Sequence, residues 1–211
     1  MDRSFTLRIA TELHLKRLIV GGFERVFEIG RIFRNEGIST RHNQEFTSIE
    51  LYQAYTDYTD MMDLTEDLVR ACVTKVHGKM SLSYNEKPID LSQPFKRIKM
   101  VDAISEFCNL DLTLYSDLAE AKEAACQALS KQGQIASVTT HKIMSCATMG
   151  HLMNEVFEAG VEDKLWQPTF IVDYPVEISP LAKPHRSAKG FVERFELFIA
   201  GRELANSFSE L

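Results

Sequence analysis

Two strand-like runs separated by a short polar segment constrain this chain more than anything else in it. In the first, Phe27, Ile29 and Phe33 alternate with Glu28, Gly30 and Arg34, so the two faces of a strand over 25–33 differ chemically. Arg31 is the one break in that pattern. The stretch 35–43 has no apolar period and is rich in polar and turn-forming residues, which predicts a loop. A second strand follows over 45–55, and a loop this short leaves the two to pair antiparallel. Alternation puts Phe46, Ser48, Glu50, Tyr52 and Ala54 on one face of it and Ile49 and Leu51 on the other. The Ile49 and Leu51 face is expected to be core. The opposite face then offers an aromatic ring, a carboxylate and a phenol in a row. On a solvated sheet such a row is unremarkable, but the loop before it carries Arg34, Glu36, Arg41 and His42, a set suited to a polyphosphate. For Arg34 taken alone, a surface ion pair with Glu36 is the commoner explanation.

The rest of the chain supplies the layers around this pair. A helix is expected over 12–19, ended by Gly21 and Gly22. A second begins near Thr59 or Asp60, and its Leu64, Leu68, Cys72 and Val76 recur every four residues as a core-facing stripe up to the stop at Gly78. A short helix over 101–108, an alanine-rich helix capped by Asp117 and running to 131, and a helix over 151–159 follow. Strand character returns over 168–178 and 193–200, with a hairpin turn at Gly201 before a last strand over 204–211. In that strand Asn206, Phe208 and Glu210 share a face. Strands pair across short loops while helices come in a block, so the expected class is α+β with an antiparallel sheet flanked by helices.

Composition excludes several functions. A net charge of −6 argues against nucleic-acid binding through a broad basic surface. Cys72, Cys108, Cys126 and Cys146 are widely spaced, with no CxxC pair, so neither a zinc site nor a disulfide framework is indicated. His141 and His151 lack ligand-like neighbours, and Met144, Met149 and Met153 read as core filler. No signal-type or membrane-length apolar run is present, so the expectation is a soluble, unsecreted protein of the cytoplasm or of an organelle interior.

The run FRNEGISTRHNQEFT followed by SIELYQAY resembles motif 2 of class II aminoacyl-tRNA synthetases, in the form typical of lysyl-tRNA synthetases. LRIATELHLKRLIVGGFERVFEIGRIF before it and the terminal ERFELFIAGRELANSFSEL are similar to that family too. The resemblance implies an antiparallel sheet flanked by helices, with lysine, ATP and tRNA(Lys) as substrates and Mg²⁺ as the metal. It gives Arg34 the role of bridging the lysine carboxylate and the α-phosphate. Glu36 would read the adenine edge and Phe46 stack on it, while His42, with Arg41 as a weaker neighbour, would lie near the terminal phosphates. Glu196 and Glu203 would hold Mg²⁺. Lysine would be met by Glu50, Tyr52 and Glu210 at its ε-ammonium, Phe208 along its stem, Asn206 at its carboxylate and Glu12 at its α-ammonium. Two carboxylates facing an acidic ligand would cost several kcal/mol, which disfavours the sister enzymes for aspartate and asparagine.

Departures from the family pattern are also visible. Gln44 and Thr11 stand where proline is common, and His14 where tyrosine is. Nothing before Leu7 resembles the motif 1 dimer element, no anticodon-binding domain precedes it, and no motif 3 follows Leu211. The expectation is therefore an incomplete catalytic domain over 1–211 with a helical insertion at about 115–165, impaired in lysine activation and in the family's homodimerisation. The rival readings are a non-catalytic or regulatory remnant and a paralogue that lysylates elongation factor P.

Overall fold

The computed structural model describes residues 4–39, 42–133 and 136–211. It divides into two compact units, Met1–Thr56 and Asp57–Leu211.

The first unit holds α1 (Glu12–Val20), β1 (Arg25–Phe33) and β2 (Glu45–Gln53). Thr11 opens α1, its carbonyl accepting from the backbone N–H groups of His14 and Leu15 at 3.1 Å each. β1 and β2 pair antiparallel without interruption from Arg25↔Gln53 to Phe33↔Glu45, and Arg34 N–H donates to Gln44 O at 2.9 Å to extend the ladder. The second strand stops two residues short of the expected end, because Tyr55 turns to a left-handed φ of 61°.

One expectation reverses here. On the Ile49 and Leu51 face, predicted to be core, Ile49 is 43% exposed and Leu51 half-buried, and their β1 partners Ile29 and Phe27 are 62% and 68% exposed. Phe46, Ser48, Glu50 and Tyr52 are half-buried instead. The cause is α1, which packs on β1 and β2. The Thr11 N–H bonds Glu50 and the Lys16 ammonium stands over the Tyr52 ring, so the helix covers the polar row.

The second unit begins with α2 (Tyr58–His77), entered through a capping box in which Asp57 accepts from Thr59 N–H and Asp60 from Asp57 N–H. Gly78, at φ 69°, ends it in the left-handed conformation that glycine adopts without a Cβ clash. The predicted stripe is not the buried one: Leu64, Leu68 and Val76 are exposed, and Met61, Met62 and Glu66 are buried. Burial of Glu66 is compensated by Arg70 at 2.7 Å and by the Phe95 N–H at 3.3 Å, which a count of apolar residues could not anticipate.

Then come β3 (Ser81–Tyr84), β4 (Lys87–Asp90), β5 (Lys96–Lys99), α3 (Met100–Cys108), α4 (Leu118–Lys131), α5 (Ser137–Ser145), α6 (Met149–Gly160), β6 (Thr169–Pro175), β7 (Phe191–Ile199) and β8 (Arg202–Phe208). β3 and β4 form a hairpin, and the main sheet runs β5-β6-β7-β8. Its last three strands are antiparallel and β5 joins parallel to β6. The class is α+β, as expected. One sheet face carries Phe170 and Phe195, edge-to-face at 5.2 Å, with Phe95 on Phe170. The other carries Phe198 against Phe157 of α6 at 5.5 Å and continues into a core of Ile104, Leu152, Val156 and Ile171.

The β7–β8 hairpin closes through Ala200 and Gly201, both at left-handed φ, between the paired Ile199 and Arg202. Register then shifts: Phe198 pairs with Glu203 but Leu197 with Ala205, leaving Leu204 as an extra, bulged residue. Alternation from Glu196↔Asn206 outward therefore puts Arg194, Glu196 and Phe198 on the same side as Glu203, Asn206 and Phe208.

Candidate functional site

On the first unit, the polar row along β2 is lined up as the sequence predicts. Phe46 pairs with Ile32, Ser48 with Gly30, Glu50 with Glu28 and Tyr52 with Val26, so these eight residues share a face. Arg34 leaves the end of β1, its guanidinium standing 5.5 Å from the Phe46 ring centre and donating from Nε to Ile9 O at 3.1 Å. Its approach to Glu36 is only 3.9 Å between two half-exposed side chains, a weak pair that leaves the guanidinium accessible. His42 is held by Ser39, whose Oγ is 2.9 Å from Nδ1. Arg41 lies outside the described residues. Glu50 accepts the Thr11 N–H at 3.0 Å. Glu12 pairs with Lys16 at 2.5 Å, and that same ammonium lies 5.9 Å from the centre of the Tyr52 ring. An ε-ammonium of the chain itself thus pairs with a carboxylate of α1 and stands over a phenol ring of this row. Arg8, which the sequence did not single out, crosses the same face: its Nε donates to Arg31 O at 2.8 Å, it pairs with Glu28, and its guanidinium occupies the space that a Cβ at Gly30 would take.

On the second unit, Glu196 and Glu203 line one pocket of about 290 Å³ with Glu158, Glu162, Asn154, Arg194 and Phe198. Glu203 turns into it because it pairs with Phe198, two residues from Glu196 on the same face of β7. Burial pushes the Glu196 carboxyl up, against the pull of Arg194 and of a 2.8 Å hydrogen bond donated by Tyr174. Tyr174 is itself wholly buried, and burial first, then the Glu196 charge, drives its phenol well above the usual range. Glu203 is exposed as a residue, but its carboxyl is screened by the pocket wall. That screening, with Glu196 and Glu162 nearby, pushes it up to about 7. Arg194 is the cation of the group: it pairs with Glu196, donates from Nε to Asn206 Oδ1 at 3.1 Å, and lies 4.6 Å from the Tyr174 ring centre. Sequence reasoning passed over Arg194 and Tyr174. The first stood two residues before Glu196 on the same strand, a spacing that fixes a shared face. Tyr174 had no such signal, being one of two aromatics in a wholly buried strand. Asn206 is thus held beside Glu196, Phe208 is half-buried opposite Arg194, and Glu210 is bridged to Ala182. Among the described residues no three His, Cys, Asp or Glu converge as a ready-made metal cage.

A family model described as tRNA synthetases class II (D, K and N) matches residues 1–211. The chain belongs to that family. Among its class II relatives, the protein named lysine–tRNA ligase from Nostoc punctiforme is 58% identical over the whole chain, which spans 36% of that relative's length. One of the same name from Parasynechococcus marenigrum is 56% identical, with 40% of its length covered. The Arabidopsis thaliana protein named chloroplastic/mitochondrial lysine–tRNA ligase is 54% identical, with 35% covered. The chain therefore spans between about a third and two fifths of the class II synthetases it matches. No helix among the described residues is long and apolar enough to cross a membrane.

Proposed function

We propose that this chain carries the lysine-activating residues of a lysine–tRNA ligase. The observation that carries the reading is the row Phe46, Glu50 and Tyr52 on one face of β2, with the Arg34 guanidinium over the Phe46 ring. Relatives named lysine–tRNA ligase at 54–58% identity over the whole chain support it.

In this reading a lysine carboxylate oxygen attacks the α-phosphorus of ATP, the bond to the β-phosphate oxygen breaks, and pyrophosphate departs with that electron pair. No general base is needed, because the nucleophile is already ionised at neutral pH. The difficulty is to bring two anions together, so catalysis is positioning and charge stabilisation. Arg34 bridges the carboxylate and the α-phosphate. Glu36 accepts from the adenine amino group and Phe46 stacks on the ring. His42 and Arg41 serve the terminal phosphates. Glu12 takes the α-ammonium, and Glu50 and Tyr52 take the ε-ammonium, in keeping with the way Lys16 already contacts Glu12 and Tyr52. Asn206, Phe208 and Glu210 are assigned to the carboxylate, stem and ammonium of lysine respectively.

Glu196 and Glu203 fit a divalent cation: two carboxylates face one pocket, and burial, with repulsion from neighbouring carboxylates, leaves both above their ordinary pKa. Mg²⁺ takes few protein carboxylates and completes its shell with water and phosphate oxygens, so a pair suffices. Bound there, it would neutralise charge on the phosphates. Transfer of the lysyl group to tRNA(Lys) and a homodimeric assembly complete the reading by resemblance.

Lysine-dependent exchange of labelled pyrophosphate into ATP by the full-length protein tests it. Exchange with lysine is expected. Exchange with aspartate and none with lysine would overturn the assignment of Glu50 and Tyr52.

A further inference from the structure

β8 is followed by a residue whose hydrogen-bonding groups are all engaged. Ser209 is 6% exposed. Its N–H donates to Glu193 O and its carbonyl accepts from Lys183 N–H, each at 2.9 Å. Its Oγ accepts from Tyr58 N–H at 3.0 Å, and its hydroxyl donates to the Glu193 carboxylate. Glu193 is fully buried and gripped by Arg186 through Nε at 2.6 Å and Nη2 at 3.0 Å, while the same Nη2 reaches Asp57 Oδ2 at 2.6 Å. The start of α2, the strand β7 and the stretch around Lys183 and Arg186 thus converge on one small side chain.

Strand alternation gives this clamp a direction. Ser209 turns to the α2 side of the sheet with Glu193, so Phe208 before it and Glu210 after it turn to the opposite side. Any rotation of the backbone at Ser209 would swing both neighbours together. A serine anchored at four points removes that freedom, and its burial among charged partners makes the anchor costly to lose, because the Glu193 carboxylate and the Tyr58 N–H would each forfeit a partner.

We propose that Ser209 is a positioning residue: it fixes the direction in which Phe208 and Glu210 leave the strand and so sets the preference for a ligand side chain ending in an ammonium. The proposal rests on the reading of Glu210 as a lysine contact. Arg186 acts one step further out, holding the carboxylate that holds the serine.

Competition calorimetry with lysine and norleucine on the full-length protein tests it, since norleucine matches the stem and lacks the ammonium. Ser209→Ala is expected to lower the preference for lysine over norleucine about tenfold, the loss of one hydrogen bond to a charged group. Ser209→Thr, which keeps the hydroxyl, restores most of it. Arg186→Gln, whose amide can still donate to Glu193, shifts the preference the same way by less. A purely structural role would weaken both ligands alike, leave the ratio unchanged and overturn the proposal, provided Glu210→Gln abolishes the preference. If Glu210→Gln leaves the preference intact, the reading of Glu210 fails and the proposal with it. Should Ser209→Ala not fold, an unchanged ratio in Arg186→Gln overturns the proposal.

Discussion

The backbone N–H of Thr11 donates to Oε1 of Glu50 at 3.0 Å, so the residue that opens α1 also orients a carboxylate on β2. One oxygen of Glu50 is committed to the fold, and the charge remains for a cation. Glu50→Gln keeps an acceptor for Thr11 and removes the charge. Lysine affinity of the full-length protein, measured by calorimetry, is expected to fall at least about tenfold, the scale of a charged hydrogen bond, with little change in melting temperature. Unchanged affinity would remove Glu50 from the ligand set.

Thr11 has a second property. It is 2% exposed and its Oγ1 has no hydrogen-bond partner among the described residues. Valine has the same shape and no hydroxyl to desolvate, so Thr11→Val is expected to stabilise the protein by about 1 kcal/mol. Thermal unfolding checks this, and a clear loss of stability would show that the hydroxyl is engaged after all.

Acid sensitivity follows from Glu193. The bonded Arg186 guanidinium holds its carboxyl below the ordinary carboxylate value, outweighing burial. A depressed folded pKa means that this contribution is fully present above the unfolded value, about 4.3 for glutamate, and is lost as pH falls through the lower folded value. Urea unfolding between pH 6 and the acid limit, roughly pH 3, should show a steeper loss of stability in the wild type than in Glu193→Gln. Equal slopes would mean that the ion pair contributes nothing to acid stability.

Phe195 sits fully buried against Phe170 at 5.2 Å on the α2 side of the sheet. Phe195→Ala is expected to cost about 3–5 kcal/mol, through lost burial and the cavity left behind. Denaturant melts would read this as a lower midpoint with an unchanged slope.

These residues also mark how far the sequence could be read. The α+β class, the limits of β1 and the face shared by Phe46, Glu50 and Tyr52 were legible, because alternation is a local property of one strand. Which face a neighbouring element covers is not local. The Ile49 and Leu51 face looked like core, yet α1 took the other side. The stripe of α2 failed similarly: Leu64 and Leu68 gave a clean period, and burial went to Met61, Met62 and an ion-paired Glu66. Arg194 and Tyr174 escaped notice because their importance lies in partners brought together across strands. Glu203 was placed beside Glu196 by resemblance, whereas counting by twos back from Glu210 sets it on the far side.

The bulge at Leu204 settles that count, and it carries a rule about length. Between Glu196 and Asn206 the hairpin holds one residue more than a flush ladder with an Ala200–Gly201 turn can pair, and Leu204, largely exposed, is the surplus. A gene that lost the codon for Leu204 would encode a regular hairpin with both glutamates still on one side. Losing the codons for Leu204 and Ala205 together would leave Glu203 opposite Phe198 but set Asn206 against Leu197, turning Asn206 and Phe208 to the other side. Small in-frame deletions at this spot are therefore governed by parity: the odd one is absorbed, and the even one separates Asn206 from the two carboxylates.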